Sequence, residues 1–254
     1  MPEKIEITVN QSGKELQQRY PDQIKLVNRP PGVNFYSVDW PRESLGSVQL
    51  NAGPRPLTID AVLGLSGSDD PNFPAENILE WHIYAGLGNE EEIAQDDARQ
   101  RFFAILQKIR NAGWQRYIGR GHPRLKGADA LRYAQRSAVY AQDPDYRRTL
   151  EQWMAMDDRS LWRFHADQAY MTVALTRDAA RKEINGKGAY FIEFTVTDAN
   201  EEARKIVGPA QRANWKTALP EELKMLKQDR EKSEGELKKQ GVAIDEGYQD
   251  PPIQ

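Results

Sequence analysis

The chain has 254 residues, no cysteine and a formal net charge of −3, with 39% hydrophobic and 29% charged residues. Without cysteine there is no disulfide, no thiolate nucleophile and no cysteine-ligated metal, and a net acidic chain is a poor general binder of nucleic acid, which needs a basic face. No apolar run approaches the roughly 18 residues of a transmembrane helix, so no membrane span is predicted, and the start of the chain lacks the apolar stretch of a signal peptide.

The first half of the sequence predicts mainly strands, followed by one amphipathic helix. Residues 5–9 alternate with a period of two, and residues 23–27 form a second short apolar run before Pro30 and Pro31, so both runs predict edge strands or a packed arm. Residues 57–66 and 78–85 predict two further strands, joined as a hairpin by a long turn-rich loop.

The helix is predicted between the acidic pair Asp96–Asp97 and Gly113, which is suited to a left-handed C-cap. Its apolar face should pack on the sheet. The residues of that face are Ala98, Phe102, Ile105, Leu106 and Ile109. A short strand over residues 114–118 should follow the helix.

The second half of the chain mixes helices and strands. Apolar residues at helical spacing over 128–138 predict a helix, and Asp143–Pro144 predicts the start of another that carries Leu150, Trp153 and Met154. Three strands are then predicted, at residues 161–165, 170–176 and 190–197, with a hairpin between the last two.

Two helix starts close the chain, one at Gly208–Pro209 and one at Leu219–Pro220, and the second helix should run to Gln240 before an extended tail over residues 245–254. The predicted fold class is therefore α+β: a mainly antiparallel sheet with packed amphipathic helices and a C-terminal helical segment. Residues 1–207 should form a mixed α/β domain. Residues 208–254 should form a helical appendage and tail packed on that domain.

The sequence offers little for catalysis. The three histidines, His82, His122 and His165, do not have the spacing that places two imidazoles on one helical face, so no metal and no cofactor is predicted. Gly64 to Ser68 comes near a nucleophile elbow but lacks its last glycine. A serine-type hydrolase that uses Ser66 with His82 or His165 is one alternative; a carrier with a largely apolar pocket is another.

The strongest pattern is a run of arginines and aromatic residues between Trp114 and Arg136, with Asp129 the one acidic residue in it. It is either a solvated face or a recognition surface for an acidic protein or an anionic group, because guanidinium groups match carboxylates and phosphates. The candidate partner-binding residues are Trp114, Arg116, Tyr117, Arg120, Arg124 and Arg132.

Residues 78–86, 98–118 and 245–252 resemble uncharacterised proteobacterial exported proteins associated with type VI secretion gene clusters. In such clusters, small partner proteins neutralise toxic effectors such as phospholipases. The resemblance implies a non-enzymatic immunity protein, which needs a rigid contact surface and no active site. It also implies a periplasmic location after removal of a leader, with a cytoplasmic location left open. The resemblance assigns no functional residue.

Overall fold

The fold is built on one ten-stranded sheet with helices packed against it. The structure, a computed structural model, describes residues 3–29 and 32–253. Met1, Pro2, Pro30, Pro31 and Gln254 lie outside the described residues; the predictions of the two domains, of the end of the second N-terminal strand and of the tail included them. The strands are β1 (Lys4–Ile7), β2 (Lys25–Arg29), β3 (Val33–Asp39), β4 (Gly46–Leu50), β5 (Leu57–Asp69), β6 (Glu80–Ala85), β7 (Ile93–Ala94), β8 (Gln115–Arg116), β9 (Arg159–Ala166), β10 (Ala169–Arg177), β11 (Lys187–Gly188) and β12 (Tyr190–Asp198). The helices are α1 (Gly13–Arg19), α2 (Gln95–Asn111), α3 (Gly127–Ala134), α4 (Leu150–Met154), α5 (Ala199–Val207) and α6 (Trp215–Lys239).

The main sheet has the strand order β1-β4-β5-β6-β12-β10-β9-β8, with β3 paired to β5 and β2 paired to β3. β1 and β4 run parallel, and the other described pairs in this sheet are antiparallel. β7 and β11 form a separate two-stranded sheet. The predicted α+β class with a mainly antiparallel sheet is therefore confirmed. The two N-terminal runs are edge strands, β1 and β2, as expected.

The long strand β5 joins the two halves of the sheet. Its first part pairs with β4 and its second part pairs with β3 on the same side, while β6 lies along the other side, so the predicted hairpin is confirmed. The register shifts near Val62, and the neighbouring Ala61 has a left-handed backbone with φ of 55°. Such a conformation is strained for a residue with a side chain.

The main core lies between one face of the sheet, here called the inner face, and α2. Phe102 of α2 is fully buried and its ring lies 4.7 Å from that of Trp162 and 5.9 Å from that of Trp153. The predicted apolar helix face is confirmed, because Ala98, Phe102, Leu106 and Ile109 are all buried. Ile105 is half-buried and contacts the core from its margin.

The start of α4 differs from its prediction. Asp143–Pro144 starts no helix: Asp143 instead accepts hydrogen bonds from the backbone N–H groups of Gly127 and Asp145. α4 begins after Thr149, whose hydroxyl accepts from the backbone of Gln152. The Asp143 carboxylate is thus used to hold two loops together, and a local capping pattern does not reveal that competing use.

The C-terminal region also differs. α5 was not predicted, although Asp198 caps it by accepting from the backbone N–H of Glu201 at 2.7 Å. A 3-10 helix, Pro209–Asn214, leads into α6, which contains Pro220 instead of starting there. Pro220 is the sixth residue of α6 and lacks the N–H that would donate to the carbonyl of Lys216, so it removes one helix hydrogen bond.

α6 and the tail pack on the rest of the chain through two small apolar clusters. One joins Leu237, Val242 and Tyr248 to the segment around Ile118, and the other joins Trp215 and Leu219 to α5. None of the described helices is both long enough and apolar enough to cross a membrane.

Candidate binding surfaces

Two of the six predicted partner-binding residues lie inside the protein. Trp114 is 0% exposed and Tyr117 is 2% exposed, and burial raises the pKa of the Tyr117 hydroxyl well above its ordinary value. The interpretation of these aromatic rings as surface contacts is therefore corrected. Both rings fill space beside the sheet edge at β8, where a large apolar side chain gains more from burial than from exposure.

Three of the predicted arginines bind other parts of the same chain. Arg116 donates to the carbonyls of Leu125 and Ala141. Arg120 donates to the carbonyl of Pro251 in the tail, and Arg124 binds Glu234 of α6. The sequence analysis expected these arginines to bind an acidic partner; Arg124 instead binds a carboxylate of its own chain, that of Glu234.

Arg132 is the member of the set with a largely exposed side chain, at 65%, and it pairs locally with Asp129. The side chains of Arg116, Arg120 and Arg124 are 10%, 13% and 23% exposed. The expectation of one continuous exposed basic surface therefore differs from the structure. The reason is that α6 and the tail, distant in sequence, cover the stretch.

Tyr117 and Arg120 do border a polar recess of about 390 Å³ between the loop after β8, α5 and α6. Arg163 lies across it, 4.6 Å from the Tyr117 ring centre, and donates to Glu202 at 2.7 Å. His122 also lines the recess, and burial together with Arg163 and Arg230 lowers its pKa. Most of the charged groups here are already matched by groups of opposite charge.

The hydrolase alternative depends on Ser66 and a histidine. Ser66 and His82 are cross-strand partners on β5 and β6, but within the described residues no hydrogen bond joins them. His165 is on β9, four strand spacings away, or about 19 Å. His82 has both ring nitrogens against carboxylates, with Nε2 2.9 Å from Glu80 and Nδ1 3.1 Å from Glu193. Two carboxylates stabilise the protonated ring, and both ring nitrogens are engaged away from Ser66, which opposes a role for His82 as the base toward Ser66.

His82 belongs to a row of alternating charges across the other face of the sheet, here called the outer face. We call this row the charge ladder; it consists of Lys205, Glu80, His82, Glu193 and Arg159. The hydrogen bond to Glu80 raises the pKa of His82, against the opposing effect of burial. Burial of Glu80 would raise its pKa, but hydrogen bonds from His82 and Lys205 outweigh it and lower the pKa to about 2.

Two aromatic side chains, Tyr84 and Phe191, lie next to His82 on the outer face. The rings of His82 and Tyr84 stack at 6.3 Å, and those of Tyr84 and Phe191 stack at 5.7 Å. Phe191 is 39% exposed. The sequence does contain a sign that Phe191 faces outward: on β12 it alternates with Ile192 and Phe194, which face inward, so its side chain lies on the opposite sheet face.

A third feature is an apolar groove between α2 and the start of β5, with a volume of about 430 Å³. Its apolar walls are Leu57, Ile59, Ala85, Leu87, Ala104, Ile105, Ile109, Ile192 and Phe194. Two ion pairs stand at its rim: Lys108 with Asp60 at 2.7 Å, and Arg101 with Glu90 at 2.9 Å.

Within the residues that the structure describes, no group of three or more His, Asp or Glu side chains is arranged to hold a metal ion. Comparison of the chain with family models, with curated proteins and with solved structures gives no match.

Proposed function

We propose that this chain is a non-enzymatic binding protein of the immunity type, which neutralises a type VI secretion effector, such as a phospholipase, in the periplasm. The resemblance noted above supports the effector class and the compartment. The observation that carries the binding role is the stacked pair of Tyr84 and Phe191 beside the charge ladder on the outer sheet face.

This part of the outer face has the composition of a protein interface. Aromatic side chains at the centre of a contact supply large rigid apolar area, and charged groups around them set orientation and partner choice. On the β10 side of Phe191 the outer face is polar, with Thr176 directly opposite on β10 and Arg159 opposite Thr176 on β9. A partner that covers this aromatic pair would remove apolar area from water while its rim met both signs of charge.

The experiment uses the purified chain and the purified product of the gene next to its own, tested as the candidate effector, with affinity measured by calorimetry and toxin activity measured in parallel. Phe191→Ala should weaken binding by about 30-fold, the effect of a central aromatic contact worth about 2 kcal/mol. Tyr84→Ala should have a similar effect, because it removes the other ring of the stack.

The matched control is Phe73→Ala, which removes an equally large ring that is 57% exposed in the loop between β5 and β6. It should leave the affinity unchanged. Arg132→Glu tests the basic stretch at its exposed member without touching the arginines that hold the tail. If wild-type protein leaves the toxin fully active, the proposed immunity role is wrong. If Phe191→Ala and Phe73→Ala bind equally well, the proposed contact surface is wrong.

A further inference from the structure

The groove between α2 and β5 is formed largely by residues of the main core. Ile192, Phe194 and Ile109 are between 0% and 1% exposed, while Ala104 and Ile105 of α2 form the more open wall. An aliphatic ligand laid against the open wall of Ala104 and Ile105 would have one side removed from water, which is how apolar small-molecule sites gain affinity. The strained Ala61 stands in the same wall, and such strain is often found where a binding site is shaped.

The two ion pairs at the rim limit the length and the charge of a ligand. Arg101 and Lys108 are two turns apart on α2, a separation of about 10 Å along the helix axis. Arg101 binds both oxygens of Glu90, at 2.9 and 3.2 Å, so its guanidinium is already well matched. Lys108 makes a single bond, to Asp60, and an ammonium group has three donors.

Lys108 therefore has donors left to bind an added anion. Its side chain is 48% exposed and that of Asp60 is 66% exposed, so their pairing is weak in water. The hydroxyl-bearing Thr58 borders the groove on the neighbouring strand. An anionic headgroup placed at Lys108 leaves the apolar space between Lys108 and Arg101 for an alkyl chain.

We propose that this groove binds a single-chain aliphatic carboxylate of the size of a medium-chain fatty acid, with its carboxylate on Lys108 and its chain along Ala104 and Ile105. The site is separate from the outer sheet face, and it does not depend on the proposed immunity function. Failure of one proposal therefore leaves the other standing.

The test is calorimetric titration of the full chain with decanoate, with butyrate and decan-1-ol as comparison ligands. Decanoate should bind. Butyrate, which lacks most of the chain, should give no measurable binding. Decan-1-ol and the Lys108→Gln variant with decanoate should each bind about tenfold more weakly than wild type with decanoate, because each lacks one half of the charge pair. Asp60→Asn should bind decanoate about threefold more tightly, because it frees Lys108.

Ala104→Trp fills the groove from the exposed side of α2 and should abolish decanoate binding. Gln107→Trp is the matched control: it places the same side chain on the same helix, outside the groove, and should bind like wild type. The proposal is overturned if wild type shows no binding of decanoate, or if the two tryptophan variants bind it equally. Equal affinity for decanoate and decan-1-ol would overturn the headgroup assignment to Lys108.

Discussion

Glu234 of α6 binds Arg124, 110 residues earlier in the chain, through both carboxylate oxygens. Oε1 accepts from Nε at 2.8 Å and from the Arg124 backbone N–H at 3.0 Å, and Oε2 accepts from Nη2 at 2.7 Å. The Glu234 side chain is 7% exposed. The pair raises the pKa of Arg124 and lowers that of Glu234, in the latter case against the effect of burial. This contact anchors the C-terminal segment over the basic stretch.

Replacing Glu234 by Gln should lower the free energy of unfolding by about 2 kcal/mol, because the half-buried Arg124 loses its carboxylate partner. Glu231→Gln is the matched control on the same helix. Its pair with Lys227 is long, at 3.8 Å, and both side chains are more than half exposed, so the loss should be under about 0.5 kcal/mol. Urea denaturation measures both variants. Equal losses would contradict the anchoring role of Glu234.

The charge ladder predicts a pH dependence of stability. Because the pKa of His82 is raised in the folded state, its contribution is fully present below the ordinary value of 6.5 and is lost as pH rises through the folded pKa. His82→Gln should therefore cost about 1 kcal/mol at pH 5.5 and progressively less toward pH 8.5. Urea titrations at several pH values measure this difference.

His165 gives the opposite sign and serves as the control. Burial, Arg110 and Arg120 lower its pKa, so the neutral ring is favoured in the fold and acid opposes folding through it. His165→Gln should therefore gain stability relative to wild type as pH falls below about 6.5. If both variants shift with pH in the same direction, the ion pairs of His82 do not control its titration.

Two glycines should respond to alanine in opposite directions. A Cβ at Gly46 would fall inside the van der Waals radius of the Trp40 ring, which is itself held by Glu3, so Gly46→Ala should cost about 1–3 kcal/mol. Gly235 lies within α6 with open space around its Cβ position, so Gly235→Ala should add about 0.5–1 kcal/mol. Thermal unfolding compares them. A loss at both positions would show that α6 is not helical at Gly235 in solution.

Asp198 serves two elements at once, as the N-cap of α5 and as the acceptor for the side chain of Asn10 at 2.9 Å. Asp198→Ala should lower the free energy of unfolding by about 2 kcal/mol, through loss of the cap and of a charged hydrogen bond. Asp198→Asn keeps a capping oxygen and should lose about half of that amount. Urea denaturation distinguishes them, and identical losses in the two variants would argue against capping.

Many of the strands and the apolar face of α2 could be predicted from the local spacing of apolar residues. The alternation that predicted β5, β6, β9, β10 and β12 and the apolar face of α2 depends on the side-chain periods of strands and helices, which hold wherever the element lies. α5 was not predicted, although Asp198 and Glu201 carry a capping signal directly after the apolar strand β12. Its start was predictable in principle.

The candidate sites followed much less from pattern. Arg116, Arg120 and Arg124 were assigned to a recognition surface, yet all three bind groups of the same chain. Arg120 and Arg124 bind the tail and α6, which are distant in sequence, and Arg116 binds the nearer carbonyls of Leu125 and Ala141. The groove needs α2, β5 and β12 side by side, and the charge ladder needs α5 beside β6. Neither arrangement leaves a trace within any short stretch of sequence.

The sequence by itself determined the absence of thiol chemistry, the strand and helix periods and the α+β class, because composition and spacing act on neighbouring residues. Only the tertiary structure decided which charges meet and which are exposed. The energy of an ion pair depends on the distance between its atoms and on the surrounding water, and for Arg124 and Glu234 both were set by the path of the 110 residues between them.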